Sequence, residues 1–228
     1  MSAKFALIRH GAYEQLNQVP SALQPFPLTK EGIEEVRRQA RLFGAWLEET
    51  GQMLDPIIDT STLLRAYQTG EIYREELNRF FTTTPIIEST FDLCERSVGA
   101  VANLTIDNIE NILAADPRYT VPPKSWKSDS HYCLPFDGAE SLMQAGERVA
   151  KHVAHWQQKN STNDIKLFIG HGAAFRHAAH LLNAIQFSDI KALSMFYGHP
   201  VVFEFADARQ VRPLFGEWKQ RQRQDVPD

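Results

Sequence analysis

Hydrophobic and polar residues follow two alternating patterns along this chain. Short apolar runs, of which IKLFI at residues 165–169 is the clearest, predict buried strands. Between them lie longer stretches in which apolar residues recur every three or four positions, as from Ile33 to Leu47, and this spacing predicts amphipathic helices. Repeated strand-then-helix units favour an α/β fold with a mostly parallel central sheet and helices on both faces.

The predicted elements alternate over most of the chain. Strands are predicted at residues 4–8, 56–59, 84–87, 165–169 and 201–205, with a weaker one at 211–215. Helices are predicted from Thr29 as N-cap to about Leu47, from Leu64 to about Phe80, and over residues 139–158 and 173–185. No internal repeat accompanies this alternation.

Two segments lack a clear period. Residues 116–138 carry Pro, Ser, Asp and aromatic residues without regular spacing, and long loops of this kind are often lids or binding loops. We therefore expect one domain over residues 1–228, with a substrate-loop insertion around residues 100–138. The polar composition of residues 217–228 predicts a mobile tail.

Composition narrows the class of protein. The 228-residue chain is 43% hydrophobic, which is enough for a sizeable core. Its formal net charge of -4 does not favour a nucleic-acid or membrane-surface partner. The apolar runs are too short to span a bilayer and the N-terminus lacks a secretory pattern, so we expect a cytoplasmic protein. Two cysteines, Cys94 and Cys133, cannot close a zinc site alone. The sequence does not indicate an oligomeric state.

Strongly polar residues follow several of the predicted strands. The first strand leads into RHG at residues 9–11, and the strand at 165–169 leads into GHG at 170–172. Arg65 comes early in the helix after the second strand, and Glu95 lies in a turn after the third. Because the carboxyl ends of parallel strands meet at one edge of a sheet, we expect two arginines, two histidines and a carboxylate to converge there.

These residue types suit the chemistry of phosphate. Two guanidiniums in one pocket repel each other unless an anion joins them, and the planar fork of arginine fits phosphate. A neutral imidazole is a competent nucleophile near pH 7, and a second one can stabilise charge in the transition state. A carboxylic acid can protonate the leaving oxygen, and glycine at positions 11 and 172 lets backbone and ligand approach closely.

Six stretches of the chain resemble a known family. They are LIRHG (7–11), LTKEG (28–32), STLLRAYQT (61–69), LCERSVG (93–99), GAESL (138–142) and FIGHG (168–172). In this order they resemble the histidine phosphatase superfamily, in its phosphoglycerate-mutase-like branch, over most of the chain. Each stretch alone is weak evidence, whereas six in order at predicted strand ends and helix starts are specific.

The resemblance implies a role for each matching residue. His10 is expected to be the nucleophile that becomes phosphohistidine, and Glu95 is expected to be the general acid and then the base. His171 is expected to take part in catalysis at the phosphoryl group, with supporting roles for Ser61 and Gln68. The expected phosphoryl-binding residues are Arg9, Gly11, Arg65, His171 and Gly172. The family needs no metal or other cofactor, and none is expected here.

Hydrolysis of a phosphate monoester is the favoured activity. Many relatives have Glu or Gln directly after RHG, whereas Ala12 and Tyr13 follow here, in a segment that normally touches substrate. This departure and the loop at 116–138 favour a phosphatase over a mutase. They leave the substrate open between a phosphorylated small molecule and a phosphoprotein. Phosphoglycerate-mutase-type transfer and a non-catalytic phosphate-binding scaffold are the alternatives.

Simpler structural roles stay open for individual residues. His10 alone could be a packed histidine, Arg65 a charge on a helix surface, and Glu95 a partner of Arg96. Glu140 is a weaker candidate for the general acid, since it also suits the start of a helix.

Overall fold

A twisted sheet with helices on both faces forms the centre of the molecule. The computed structural model describes residues 2–20, 23–160, 162–206 and 210–221. The strands are β1 (Lys4–Arg9), β2 (Leu54–Ser61), β3 (Ile86–Thr90), β4 (Ile165–Gly170), β5 (Leu193–Ser194), β6 (Pro200–Phe205), β7 (Val211–Phe215) and β8 (Lys219–Gln220). The α-helices are α1 (Lys30–Thr50), α2 (Leu64–Glu76), α3 (Ile106–Ala115), α4 (Leu142–Lys159) and α5 (Gly172–Leu181).

The strand order of the main sheet is β3-β2-β4-β1-β6-β7. The first four strands pair in parallel, and β6 and β7 add an antiparallel edge. The sheet is therefore mostly parallel, as predicted. Because β2, β4 and β1 are neighbours, the residues that follow their carboxyl ends lie beside one another at one edge.

Alternation along the central strands divides the core into two layers. On one face, Leu7 of β1 packs with Phe168 of β4 and with residues of α4 and α5 such as Phe175. On the other face, Ile8 packs with Ile58 of β2 and with residues of α1 and α2. This is the period-two pattern of a sheet buried on both sides, and it confirms helices on both faces.

Helix boundaries follow local capping chemistry. The Thr29 side chain accepts a hydrogen bond from the Gly32 N–H, which confirms Thr29 as the N-cap of α1. Helix α4 begins at Leu142 and not at residue 139, because Ser141 and Gln144 form a capping box. The predicted helices 64–80 and 173–185 end earlier, at Glu76 and Leu181, and a 3₁₀ turn covers Asn78–Phe80.

Strand β3 starts two residues later than the predicted 84–87 and runs on through the polar residues Glu88 and Ser89. It is an edge strand paired only with β2, so its side chains need not be apolar.

Residues 100–138 contain structure that their composition does not suggest. Helix α3 lies within them, and Ile109, Leu113 and Trp126 are buried in a small apolar cluster of their own. Thr105 caps α3 by accepting a hydrogen bond from the Asn108 N–H.

The predicted tail at 217–228 is only partly described. Lys219–Gln220 pair with Leu193–Ser194, and the Arg221 N–H donates to the Ala192 carbonyl at 2.8 Å. A short run with no apolar pattern is thus held by backbone hydrogen bonds. The mobility of the tail stays a prediction. Residues 222–228 lie outside the described residues. Within the described ranges, no helix has the length and apolar character needed to cross a membrane.

Candidate active site

Polar residues from the ends of β1 and β4 and from the turn after β3 meet around one cavity of about 660 Å³. We call it the site cavity. Its lining residues are Arg9, His10, Tyr13, residues 15–19, Glu95, Ile106, Lys127, His171, Gly172 and Tyr197. The structure therefore brings Arg9, both histidines, Glu95 and Gly172 together, as the strand-end pattern predicts.

His10 has a defined tautomer in this site. Its ring is 4% exposed, and Nδ1 lies 2.7 Å from the Gly11 carbonyl oxygen. A carbonyl only accepts hydrogen bonds, so Nδ1 carries the proton in the neutral ring. Nε2 is then unprotonated, and it accepts a hydrogen bond from Arg65 Nε at 3.1 Å. The lone pair of Nε2 is thus the reactive position of this imidazole.

His171 lies against His10, with ring centroids 4.9 Å apart. Its Nδ1 lies 3.3 Å from Arg65 Nη2, which can only donate. Its Nε2 therefore carries the proton and donates to Ser61 Oγ at 2.8 Å. Burial, followed by the nearby Arg65 guanidinium, holds the pKa of His171 well below its ordinary value. The ring is neutral near pH 7.

Arg65 lies at the floor of the site, against Nε2 of His10 and Nδ1 of His171, and is not among the residues that line the cavity. It is 0% exposed, it donates to the Gln24 carbonyl at 2.8 Å, and its guanidinium stacks on Tyr13 at 4.4 Å. Burial lowers the pKa of Arg65, but an arginine remains charged near neutral pH. Arg65 therefore places a positive charge directly against both rings.

Arg9 supplies a second cation at the cavity wall. Its Nη1 donates to the Met195 carbonyl at 3.1 Å, and its guanidinium stacks on the Tyr197 ring at 4.3 Å. These contacts fix the plane of the guanidinium beside His10. Together with Arg65, it makes the region around the imidazoles strongly positive.

The two predicted glycines differ in position. Gly172 lines the cavity, and a Cβ there would lie 3.3 Å from the side chain of Arg9. Gly11 is not a lining residue; its N–H donates to Thr69 Oγ, and a Cβ would lie 2.6 Å from Val36. Close packing against α1 therefore requires glycine at position 11, where the chain turns after β1.

Glu95 faces the site cavity and also caps α5. Its carboxylate accepts hydrogen bonds from the N–H groups of Ala173 and Ala174, each at 3.1 Å. The alternative acid, Glu140, forms an ion pair with Arg148 at 2.6 Å and does not line the cavity. Of the two carboxylates, only Glu95 is placed to meet a ligand in this cavity.

Several lining residues have no clear signal in the sequence. Tyr197 lies between β5 and β6, and Ile106 begins α3, which lies outside the predicted elements. Lys127 lies in the irregular segment at 116–138. Arg96 lies over the ring of Trp126, at 5.6 Å, beside the small apolar cluster to which Trp126 belongs.

Among the described residues, no group of three or more His, Cys, Asp or Glu side chains is arranged to hold a metal ion. The site instead offers guanidinium, imidazole and backbone N–H groups. This is a donor set that suits a phosphate dianion.

An α/β sheet with this donor set at the carboxyl ends of its strands is typical of proteins that bind phosphate. Comparison with known proteins gives the family. The family model of the histidine phosphatase superfamily (branch 1) matches residues 5–217. The chain belongs to this superfamily.

Curated relatives carry a more specific name. The 2,3-bisphosphoglycerate-dependent phosphoglycerate mutase of Nautilia profundicola is 29% identical and covers 93% of this chain and 98% of its own length. The mutase of the same name from Parvibaculum lavamentivorans is 28% identical, over 88% of this chain and 90% of its own.

Similar solved structures include phosphatases. A mycobacterial glucosyl-3-phosphoglycerate phosphatase has a TM-score of 0.69 at 18% identity, covering 93% of this chain and 97% of that one. A phosphoserine phosphatase from Entamoeba histolytica has a TM-score of 0.66 at 19% identity, covering 96% and 98%. At these identities the likeness concerns the fold.

Proposed function

We propose that this protein is a phosphatase that hydrolyses phosphate monoesters through a phosphohistidine on His10. In the first step, His10 Nε2 attacks phosphorus, the N–P bond forms, and the bond to the leaving oxygen breaks. In the second step, water attacks phosphorus, the P–N bond breaks, and inorganic phosphate leaves. The orientation of His10 carries this proposal: Nδ1 is bound to a carbonyl, and Nε2 is presented among the positive charges.

The other residues have roles that follow from their contacts. Arg9 and Arg65 stabilise the phosphoryl oxygens, and a bound dianion replaces the Arg65 contacts to the two imidazoles. Once the dianion replaces Arg65 at Nδ1 of His171, the ring proton moves to Nδ1 and Ser61 Oγ donates to Nε2, so that His171 donates to a phosphoryl oxygen and stabilises its charge in the transition state. Glu95 gives a proton to the leaving oxygen and afterwards takes one from the attacking water. Gly172 lets the phosphoryl group approach the start of α5.

Phosphoglycerate-mutase-type transfer is the second candidate. The names of the curated relatives favour it, at 28–29% identity. A mutase must keep water from the phosphoenzyme until the product has reoriented. The segment after His10 favours a phosphatase instead, because Ala12 and Tyr13 follow RHG where many relatives have Glu or Gln, and Tyr13 and residues 15–19 line the cavity.

Replacement of His10 tests the proposed function. His10→Ala and the closer isostere His10→Asn should each abolish turnover of p-nitrophenyl phosphate, with unchanged circular dichroism. Undiminished turnover in either folded variant would exclude His10 as the nucleophile.

A product assay separates the two enzymatic candidates. The wild-type protein is mixed with 3-phosphoglycerate and a catalytic amount of 2,3-bisphosphoglycerate, which can phosphorylate a mutase at the start, and free phosphate and 2-phosphoglycerate are measured together. A phosphatase releases phosphate, whereas a mutase forms 2-phosphoglycerate. A protein that neither turns over nor becomes labelled by a broad panel of phosphate esters would be a phosphate-binding scaffold.

The same proposal includes a metal-free mechanism, a cytoplasmic location, and a phosphorylated small molecule or phosphoprotein as substrate. Turnover should be the same with and without a chelator, because the residues around the cavity supply all the charge that the reaction needs. Activity that is lost with chelator and restored by a divalent cation would contradict this part.

A further inference from the structure

Much of the lining of the site cavity is apolar and has no part in the proposed chemistry. Among the described lining residues, five are apolar or aromatic: Tyr13, Leu16, Val19, Ile106 and Tyr197. We call these five residues the apolar wall. The other lining residues outside the proposed phosphoryl site are the neutral amides Gln15, Asn17 and Gln18, and Lys127. The cavity volume of about 660 Å³ is typical of a site that holds a small molecule.

Two tyrosines of the apolar wall lie beside the proposed nucleophile. The ring centroid of Tyr13 lies 5.4 Å from that of His10, and the centroid of Tyr197 lies 6.2 Å from it. Tyr13 covers a face of the Arg65 guanidinium, and Tyr197 covers a face of the Arg9 guanidinium. The N–H groups of a guanidinium lie in its plane, so a ring over its face does not compete with phosphoryl oxygens for them. The surroundings of the phosphoryl position are therefore partly aromatic.

The segment that carries Leu16 and Val19 is held in place by hydrogen bonds. Gln24 is completely buried, and its side chain accepts from the Leu16 N–H at 2.9 Å and donates to the Val19 carbonyl at 3.3 Å. The Gln18 carbonyl accepts from the Ile106 N–H at 3.1 Å, which ties the segment to α3. Because this part of the wall is already ordered, a ligand that packs against it loses little binding energy to ordering the protein.

Parts of the apolar wall are open to solvent. Leu16 is 47% exposed and Tyr197 is 36% exposed, whereas Tyr13 and Val19 are buried. An alkyl or aromatic group that covers the exposed parts removes apolar surface of both partners from water, and this favours binding in proportion to the area covered. A hydroxyl or carboxylate group at the same place loses hydration instead.

We propose that the apolar wall holds an alkyl or aromatic leaving group, so that the preferred substrates are phosphate monoesters of apolar alcohols or phenols. This rests on the proposed function, because the phosphoryl group at His10 fixes where the leaving group enters the cavity. Leu16 and Ile106 are then specificity-determining residues, which contact the substrate away from the reacting atoms.

Alkyl phosphates with leaving groups of nearly equal basicity test this proposal. Along the series from ethyl to hexyl phosphate, the wild-type kcat/KM should rise by about tenfold or more, because each added methylene group buries apolar surface. In 4-hydroxybutyl and 4-carboxybutyl phosphate, a hydroxyl or a carboxylate replaces the terminal methyl group of pentyl phosphate. The kcat/KM of pentyl phosphate should exceed that of either compound by about threefold or more.

Leu16 is the residue to change, because it is exposed and lies in the wall. Leu16→Asn keeps the size of the side chain and removes its apolar character, so the ratio of kcat/KM for hexyl and ethyl phosphate should fall by about threefold or more. Leu16→Met stays apolar and should keep the ratio. Leu42→Asn makes the same exchange at a leucine of α1 that is 50% exposed, and it should leave the ratio unaltered. Each ratio is measured within one variant, so a general loss of activity cancels.

Three outcomes would overturn the proposal while the proposed function stands. The first is a flat or falling kcat/KM from ethyl to hexyl phosphate in a protein that turns over p-nitrophenyl phosphate. The second is a preference for the hydroxyl or the carboxylate compound over pentyl phosphate, which would assign the cavity to polar substrates through its amides or Lys127. The third is a ratio for hexyl and ethyl phosphate that Leu16→Asn does not change. Failure of the proposed function itself would appear separately, as p-nitrophenyl phosphate turnover that survives in His10→Ala.

Discussion

At the scale of single residues, the site depends on how each imidazole is hydrogen-bonded. Arg65 donates to Nε2 of His10 and to Nδ1 of His171. Together with the Gly11 carbonyl, which accepts the proton of Nδ1, the contact at His10 leaves the Nε2 lone pair available as the nucleophile. The carboxylate of Glu95 is likewise held in place by hydrogen bonds, which it accepts from the first N–H groups of α5.

Replacement of Glu95 by Gln tests the proposed acid. Glu95→Gln keeps an oxygen to accept from the backbone but cannot give a proton to the leaving oxygen. Turnover of an alkyl phosphate should fall by about a hundredfold or more, and turnover of p-nitrophenyl phosphate much less, because a good leaving group needs little protonation. Equal losses on both substrates would remove Glu95 from this role.

The residues that could be predicted from the sequence are those that directly follow apolar strands. The RHG and GHG motifs carry such a signal, because a charge at the end of a buried run has few structural explanations. Tyr197 and Lys127 do not, because their positions depend on how a loop folds back over the sheet. The complete burial of Arg65 is also invisible in the sequence, where it is one arginine in an amphipathic helix.

At the scale of elements, α4 holds the segment that leads to Glu95. Arg148 Nη1 donates to the carbonyls of Phe91 and Asp92, each at 2.9 Å, and to that of Cys94 at 3.1 Å. Its Nη2 pairs with Glu140 at 2.6 Å. One side chain on α4 thus fixes the turn immediately before the proposed acid.

Arg148 should therefore be a positioning residue. Arg148→Gln should lower alkyl phosphate turnover by about tenfold and lower the ratio of alkyl to aryl turnover in the same direction as Glu95→Gln. Arg38→Gln, at an exposed ion pair of α1, is the matched control and should leave the ratio unchanged. A purely structural role for Arg148 would reduce both activities together, and that result would contradict the assignment.

The observed helices and strands agree with the predicted ones where apolar residues recur with a clear period. Helix α1 is predicted from Thr29 onward because its cap and its apolar stripe agree. Helix α3 was not predicted: it is short, it directly precedes the irregular residues 116–138, and its contacts with Trp126 in the small apolar cluster support it. The short strand β8 has no apolar pattern and exists only through its pairing with β5.

At the scale of the whole molecule, buried histidines link stability to pH. Burial lowers the pKa of His171, His177 and His199 in the folded protein, whereas the unfolded chain has ordinary values near 6.5. Below that pH the unfolded state binds more protons than the folded state, so the free energy of unfolding falls as the pH is lowered. His152 has the opposite effect on stability, because its pKa is raised in the folded protein. Burial alone would lower that pKa, but the hydrogen bonds and charges of Asp59 and Asp92 outweigh the effect of burial.

The loss of stability in acid should therefore depend on His177. Denaturant unfolding at pH 7.5 and pH 5.5 should give a lower free energy of unfolding at the lower pH for the wild-type protein. In His177→Gln, which cannot be protonated, the difference between the two pH values should be smaller. A difference that is as large as in the wild type would contradict this prediction.

The mostly parallel sheet that contains β2, β4 and β1 could be predicted as a class of fold, because a chain of alternating strands and helices has few other arrangements. The convergence of the site follows from that order. The size of the site cavity depends on how the segments that carry Lys127 and Tyr197 fold over the strand ends. Those segments have little period, and their positions come from side-chain contacts that no local pattern encodes.

The central claim is that His10 carries the phosphoryl group during turnover. The most direct measurement is rapid acid-free quenching of the protein with a slowly hydrolysed phosphate ester, followed by peptide mapping of the bound phosphate. The account predicts an acid-labile, base-stable phosphate on the Nε2 atom of His10, absent from His10→Asn. Steady release of phosphate with no such label, or a label on another residue, would contradict it.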